Sequence, residues 1–308
     1  MRGGNARWRV EPVYRAAIRV GLALLGAARI DIRAEGFDHL PESGGAVLAI
    51  THFGYADFAL TQAVIWRQRR RVVRFLITAT AFRHPLAGPA LRSMHHVPVD
   101  RSAGAGAFAA ARRAAKAGEL VGVFPESYVS RSFTLKPLKP GAIRLAQDAG
   151  VPLLPVAVWG GQRIRTRGVT TRIRDYRGIP VHVRFGAPLP LEVGEDAGRA
   201  TERLREALDR LLDEARRDYP TPDPATGVWW VPAHLGGSAP TPAEADRLDR
   251  EALLERARAR RGSRQSGLLP APSPRPGRPP EQPPTVSPAD ASDASDADPE
   301  EVPREETG

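Results

Sequence analysis

A histidine and an aspartate lie five residues apart in the stretch Thr51-His52-Phe53-Gly54-Tyr55-Ala56-Asp57, directly after an apolar run. Histidine exchanges a proton near neutral pH, and a nearby carboxylate fixes the ring tautomer and stabilises the protonated ring. On a straight helix these positions point about 140° apart, so we expect a bend between them, for which Gly54 supplies backbone freedom. The pair is a candidate for general-base chemistry. The alternative is a strand-to-helix turn in which Asp57 caps the helix and His52 is a hydrogen-bonded bystander.

A second carboxylate follows another apolar run. Residues 120–124 predict a buried strand, and Pro125-Glu126-Ser127 comes directly after it. Because ligands of open α/β sheets bind outside the carboxyl ends of strands, we expect Glu126 to face the same crevice as His52. The alternative is a strand-end carboxylate that caps a backbone amide.

Two adjacent histidines, His95 and His96, raise the possibility of a metal-assisted hydrolase. His52, Asp57 and Glu126 would then serve as further ligands. Adjacent residues on a strand point to opposite faces, however, so His95 and His96 are poorly placed to bind one ion. We therefore predict no metal site, and the hydrolase stays as the enzymatic alternative.

The composition limits the remaining classes of function. There are no cysteines, which excludes disulfides, thiolate metal sites and a cysteine nucleophile. The net charge is +10, but residues 262–308 carry four basic and nine acidic residues, so this segment is at −5 and residues 1–261 are at +15. So basic a body indicates an anionic partner, which could be nucleic acid, acidic lipid headgroups or a phosphorylated substrate.

The order of apolar patterns predicts an α/β fold. Strands are expected at 46–50, 75–77, 120–124, 151–158 and 181–185, and helices after Asp57 and at 107–117, 197–217 and 242–261. Prolines in 151–158 favour a place at the end of a sheet or at a bulge. We predict a single α/β domain with a mixed, mostly parallel sheet flanked by helices.

The chain divides into four predicted segments. Residues 1–34 hold an amphipathic helix that is too interrupted by arginines to span a bilayer and suits either a membrane surface or packing on the domain. Residues 35–195 form the α/β domain, and 196–261 form a helical C-terminal extension. Residues 262–308 are rich in proline and then acidic, and they lack the apolar content to fold, which predicts a disordered tail.

Taken together, four blocks resemble the glycerolipid acyltransferase family, which includes the 1-acylglycerol-3-phosphate acyltransferases. His52 to Asp57 is similar to the family's H-x-x-x-x-D, and Arg101 is similar to an arginine that follows an apolar strand. Phe124-Pro125-Glu126 resembles the F-P-E-G block, with Lys139-Pro140-Gly141-Ala142 at the usual interval after it. Residues 151–158 resemble the V-P-hydrophobic-hydrophobic-P-V block. Four blocks in order are far more specific than any one of them.

The resemblance covers roughly residues 35 to 190 and implies a reaction. His52 would take the proton from a hydroxyl of a lysophospholipid, most naturally 1-acyl-sn-glycerol-3-phosphate, as that oxygen attacks the thioester of acyl-CoA or acyl carrier protein. Asp57 would orient the ring, no cofactor is implied, and the product would be phosphatidic acid. The implied substrate-binding residues are Arg101, Glu126, Ser127 and Arg131. The chain has no G-x-S-x-G elbow for an acyl-enzyme, which agrees with a single displacement.

The chain departs from the family after the glutamate. Where Gly-Thr-Arg-Ser is common, residues 127–130 read Ser-Tyr-Val-Ser, followed by Arg131. A similar Phe-Pro-Glu-x-x-x-Ser-Arg-Ser form occurs in a bacterial branch of the family. Val129 cannot bind a phosphate. Either Arg131 or Arg101 binds the phosphate in place of the family's arginine, or the acceptor is another lyso-lipid or a glycolipid.

The predicted partners follow from the charge and the acceptor. An amphiphilic acceptor and a cationic body place the protein on an anionic membrane surface, as a peripheral protein on the cytoplasmic, inner face of the cell membrane. No nucleic-acid partner is expected, since no helix-turn-helix or zinc-finger pattern is present. The non-enzymatic alternative is a basic protein that only binds anionic lipid or nucleic acid.

Overall fold

A computed structural model of the protein describes residues 12–100, 104–192, 194–221 and 227–265. These residues form a seven-stranded sheet with the order β1-β7-β6-β2-β5-β3-β4. The strands are β1 Asp31–Glu35, β2 Ala46–Ile50, β3 Val73–Thr78, β4 Val97–Val99, β5 Leu120–Val123, β6 Leu153–Trp159 and β7 Pro180–Phe185. The helices are α1 Pro12–Ala27, α2 Asp57–Arg69, α3 Ala87–Ser93, α4 Gly104–Lys116, α5 Gly141–Ala149, α6 Gly161–Ile164, α7 Ala197–Arg217 and α8 Pro242–Gln265.

All neighbouring strands run parallel except β6 and β7, which are antiparallel. The predicted fold class, a mixed and mostly parallel sheet flanked by helices, is therefore confirmed. Strand β2 lies between β5 and β6 and pairs in parallel with both. Because β2 and β5 are adjacent and parallel, the residues that follow them emerge at the same edge of the sheet. This arrangement brings His52 and Glu126 together.

The alternation of side chains along β2 explains why helices cover both faces. Leu48 and Ile50 pack in one core cluster with Leu60 and Ile65 of α2. Val47 and Ala49 pack in a second cluster that includes residues of α4, α5 and α7. Every residue of β2 is buried, so the strand that leads to His52 is packed on both sides.

The prolines of β6 were predicted to place this strand at the end of a sheet or at a bulge, and the structure has the bulge but not the sheet end. Strand β6 is an interior strand between β7 and β2. The carbonyl of Pro155 accepts from the amide of Gly186 on the β7 side, so the missing N–H of Pro155 also faces that side. Val156 pairs with Phe185 and Leu153 pairs with Leu189, so residues 186–188 stand opposite only two residues of β6, and Pro155 lies at this bulge.

Strand β1 was not predicted. It lies at the edge of the sheet beside β7, and its residues alternate between exposed and half-buried. Only Ile32 and Ala34 are apolar in a strand of five residues, so the period-two signal is too short to separate a strand from a loop.

The chain divides into two compact units, Met1–Leu254 and Glu255–Gly308. In the second unit the structure describes residues 255–265, which are helical, so α8 extends past the predicted start of the tail at Gly262. Residues 1–11 and 266–308 of the two predicted terminal segments lie outside the described residues. Among the helices of the described ranges, none has both the length and the apolar character needed to cross a bilayer.

Candidate active site

His52 and Asp57 are in contact across the bend that follows β2. Nδ1 of His52 lies 3.4 Å from Oδ2 of Asp57, and the side chains are 17% and 0% exposed. The ring of His52 stacks on Phe124, the residue that follows β5, with ring centroids 4.1 Å apart. The imidazole is thus fixed on one side by a carboxylate and on its face by an aromatic ring, while part of it stays open to solvent.

Asp57 begins helix α2 and also closes the turn that precedes it. Its Oδ2 accepts hydrogen bonds from the amides of Phe53, at 2.9 Å, and Gly54, at 2.8 Å. Within the described residues, Oδ1 is buried and has no hydrogen-bond partner. Burial raises the pKa of Asp57, and the hydrogen bond and charge of His52 together with the two amides oppose that rise only in part. The ionised form of Asp57 therefore depends on its hydrogen bonds with His52, Phe53 and Gly54.

A second turn, at Gly160–Gln162, forms the wall behind Asp57. A β-carbon at Gly161 would lie well inside van der Waals contact with Oδ1 of Asp57, and one at Gly54 would lie 2.6 Å from the carbonyl oxygen of Gly161. Thr166 adds a hydroxyl that donates to the carbonyl of Phe53 at 2.6 Å. The turn that carries His52 is therefore in close backbone contact with the segment that follows β6.

Glu126 is buried and holds the backbone of His52. Its Oε1 accepts from the amide of His52 at 2.8 Å, and its Oε2 accepts from the amide of Lys136 at 3.1 Å. The carbonyl of His52 in turn accepts from the amide of Ser130 at 2.9 Å. Burial raises the pKa of Glu126 to about 8, while the two amide donors lower it and the charge of Asp57 raises it further. Glu126 therefore caps backbone amides, which was the alternative to a substrate-binding role in the sequence analysis. One of those amides belongs to His52.

Two of the remaining predicted substrate-binding residues, Ser127 and Arg131, lie in the loop after Glu126. Ser127 adopts a left-handed backbone conformation, with φ of 64°. Arg131 donates from Nε to Oδ1 of Asp249 on α8 at 2.8 Å. Val129, which stands in the place of the family's arginine, is 4% exposed, so its side chain packs in the protein. Arg101 lies outside the described residues.

An apolar cleft of about 880 Å³ lies between α1 and α2. Leu25 and Phe58 line it, and so does Phe75, whose ring centroid is 6.2 Å from that of Phe124. Since Phe124 stacks on His52, an unbroken series of aromatic rings connects the cleft to the imidazole. Arg174 and Arg177 also belong to the lining.

The two histidines considered as metal ligands, His95 and His96, have different surroundings. His95 has a left-handed φ of 53° and is exposed, whereas His96 is buried and its Nδ1 accepts from the amide of Phe75 at 3.2 Å. His95 lies in a turn and His96 in the short connection before β4, which starts at Val97, so the expectation that they share a strand was wrong. Across the described ranges, no three or more His, Cys, Asp and Glu side chains are grouped so that they could hold a metal ion.

Sequence reasoning missed several residues that shape the site. Gly161 and Lys136 contact Asp57 and Glu126 directly, and Asp249 contacts the loop from helix α8. The Gly160-Gly161 pair at the end of a predicted strand is a signal of close backbone approach. Asp249 has no comparable signal, because it is one of many charged residues on an exposed helix.

Comparisons with known proteins agree with the family that the four sequence blocks indicated. The family model described as Acyltransferase matches residues 31–159. The 1-acyl-sn-glycerol-3-phosphate acyltransferase of Bacillus subtilis (strain 168) is 29% identical over 199 residues, which are 63% of this chain and 93% of that protein. The protein of the same name from Limnanthes douglasii is 31% identical over 111 residues, 34% of this chain and 38% of that protein.

A solved structure has a similar fold. The crystal structure of the 1-acyl-sn-glycerophosphate (LPA) acyltransferase PlsC from Thermotoga maritima superposes with a TM-score of 0.56. The match covers 67% of this chain and 81% of that one at 19% sequence identity, and it shows a shared fold.

Proposed function

We propose that this chain, an acyltransferase that belongs to the glycerolipid acyltransferase family, moves a fatty acyl group from acyl-CoA or acyl carrier protein to a lysophospholipid. The acceptor that the relatives' names favour is 1-acyl-sn-glycerol-3-phosphate, and the product is then phosphatidic acid. The contact between His52 and Asp57 carries the proposal, because it supplies a general base at the edge of the sheet.

The reaction needs one base and no cofactor. Asp57 holds Nδ1 of His52, which leaves Nε2 to take the proton of the acceptor hydroxyl. The hydroxyl oxygen then forms a bond to the thioester carbonyl carbon, and the carbon–sulfur bond breaks as the tetrahedral intermediate collapses. The proton on Nε2 is passed to the departing thiolate, so His52 is neutral again at the end.

Glu126 supports the base from the backbone side. It accepts the amide of His52, and so it fixes the main chain from which the imidazole projects. In the proposal Ser127, Arg131 and Arg101 serve the acceptor headgroup. A guanidinium has five N–H donors, so the bond from Nε of Arg131 to Asp249 uses one of them.

The apolar surfaces suit an amphiphilic substrate. The cleft between α1 and α2 has the volume and lining for an acyl chain, and the rings of Phe75 and Phe124 pack between it and His52. Helix α1 packs through Tyr14 and Ile18 but leaves Val20 59% exposed and Leu24 65% exposed. This exposed side and the basic body support a place on an anionic membrane, which we propose is the inner face of the cell membrane.

The test is acyl transfer by purified protein on anionic vesicles that contain a panel of lyso-acceptors, with acyl-CoA as donor and mass spectrometry as readout. His52→Ala should abolish transfer and keep the melting temperature, whereas His39→Ala, a change at an exposed histidine, should leave transfer unaltered. Turnover in His52→Ala would show that His52 is not the general base. Vesicle binding without any transfer would instead favour the non-enzymatic alternative.

A further inference from the structure

Asp249 of helix α8 lies among three cations from two other segments. Its carboxylate accepts from Nε of Arg131 at 2.8 Å and from Nζ of Lys136 at 2.7 Å, and NH1 of Arg167 is 3.0 Å away. The four side chains are only 9–17% exposed. A neighbouring carboxylate, Asp246, is 3.6 Å from Lys136 and is 57% exposed. We call Asp249, Arg131, Lys136 and Arg167 the α8 ion cluster.

The cluster is joined to His52 by an unbroken series of contacts. The side chain of Lys136 bonds to Asp249, and the amide of the same residue bonds to Oε2 of Glu126. The other oxygen of Glu126 accepts the amide of His52. Arg131 follows Ser130, whose amide bonds to the carbonyl of His52. Each end of the loop segment 130–136 therefore has two contacts. Its side chains, Arg131 and Lys136, bond to Asp249, and its backbone amides, those of Ser130 and Lys136, bond to His52 and Glu126.

We propose that Asp249 is a positioning residue for acyl transfer, which holds the loop through Lys136 and so keeps Glu126 bonded to the backbone of His52. This role rests on the proposed function of His52. It gives helix α8, which lies outside the residues matched by the family model, a part in the reaction.

The charge of Asp249 is what the cluster requires. Three cations at hydrogen-bond or ion-pair distance from one carboxylate are drawn together by it, and they repel one another when it is neutral. Because their side chains are largely buried, salt screens that repulsion only weakly. Lys136 and Arg131 both belong to the loop, so their separation moves the amide of Lys136 away from Glu126.

The experiment measures kcat and KM for acyl-CoA in Asp249→Asn, which keeps the shape of the side chain and removes its charge. We expect kcat to fall about 10- to 100-fold with KM unchanged, since small displacements of a catalytic group have effects of that size. Glu251→Gln, on the same helix, is the control and should keep the wild-type kcat, because Glu251 is exposed and pairs with Arg247 at the surface. Assays are run well below the melting temperature of each variant.

A second variant separates positioning from loss of fold. Lys136→Met breaks the side-chain bond to Asp249 and keeps the amide that bonds to Glu126. If the effect passes through Lys136, this change lowers kcat like Asp249→Asn, and the double variant is no slower than the slower single variant. Even if Asp249→Asn does not fold, Lys136→Met with wild-type kcat would overturn the proposal.

The outcomes also separate this inference from the proposed function. A folded Asp249→Asn with wild-type kcat, or effects that multiply in the double variant, would refute the positioning role while His52→Ala remains inactive. Activity in His52→Ala would instead refute the proposed function itself.

Discussion

Glu126 and Asp249 are carboxylates that both contact Lys136, yet their surroundings differ. Glu126 accepts two backbone amides, and burial raises its pKa to about 8. Asp249 contacts three cations, and although burial acts to raise its pKa, the hydrogen bonds from Lys136 and Arg131 and the charges of Lys136 and Arg167 lower it overall. One carboxylate is thus held by the shape of the backbone around it, and the other is held by charge.

This difference separates two ways of building one site. At the edge of the sheet, Asp57 and Glu126 are shielded from water and have amide donors, so their positions depend on close packing. In the α8 ion cluster, Asp249 stays ionised and gathers side chains that are distant in the sequence. Changes of shape should therefore destabilise the first region and changes of charge the second, whereas the charge of Asp57 is needed for the chemistry of His52.

The largest expected effect lies at the sheet edge, in Asp57→Asn. Oδ2 makes all three contacts, with the amides of Phe53 and Gly54 and with Nδ1 of His52, so the amide oxygen of asparagine can replace it there and the turn should fold. The oxygen that faces Nδ1 is then uncharged, so it no longer stabilises the imidazolium that forms when Nε2 takes the proton. We expect kcat to fall about 10³-fold, by analogy with the catalytic triad of serine proteases.

The control for this change is Asp38→Asn, which alters an exposed carboxylate paired with Arg69. It should leave kcat at the wild-type value. If Asp57→Asn transferred acyl groups as fast as Asp38→Asn, Asp57 would be only a helix-capping residue.

The pH dependence of stability should have opposite signs for the two carboxylates. The folded-state pKa of Glu126, about 8, lies above its ordinary value of 4.5, so its contribution is complete below pH 4.5 and is lost as the pH rises to about 8. The pKa of Asp249 is lowered from 3.8, so its contribution is present above that pH and is lost as the pH falls through the folded-state pKa. At pH 7 we expect Asp249→Asn to cost about 3 kcal/mol.

The contrast is measured as the free energy of unfolding in urea, from pH 3 to pH 9, for the wild type, Glu126→Gln and Asp249→Asn. Between pH 5 and pH 8, Glu126→Gln should gain stability relative to the wild type, because glutamine cannot ionise. The cost of Asp249→Asn should instead be constant over that range and shrink in acid. Two variants with parallel pH profiles would show that the carboxylates do not differ in this way.

The site at the sheet edge was largely predictable from the sequence. An apolar run, a glycine and a helical pattern place His52 at a strand end and Asp57 at the start of α2, and the structure has both. The carboxyl ends of parallel strands share an edge, so Glu126 was expected near them. The partners of Glu126 were not predictable, because they are backbone amides, and any residue except proline carries one.

The α8 ion cluster was not predictable. Asp249 is 118 residues from Arg131 and 113 from Lys136, and its pairing depends on how α8 packs. In the sequence it resembles Asp246, which is exposed. The strand order and the interior place of β6 were hidden for a similar reason, since pairing between distant strands is set by the whole sheet and not by a local pattern.

The smallest expected effect tests whether packing alone positions Asp57. Gly161→Ala adds one methyl group, which would overlap Oδ1 of Asp57 and lie 3.2 Å from Leu60. The overlap should push the carboxylate off Nδ1 of His52 without altering any charge. We expect kcat to fall about tenfold or more, and stability to fall by roughly 1 to 3 kcal/mol from overpacking.

Gly106→Ala on α4, where an added β-carbon meets no atom within 4 Å, is the control and should keep full activity. If Gly161→Ala were as active as that control, the position of Asp57 would not depend on the turn behind it, and the contrast between a region built by shape and a region built by charge would fail.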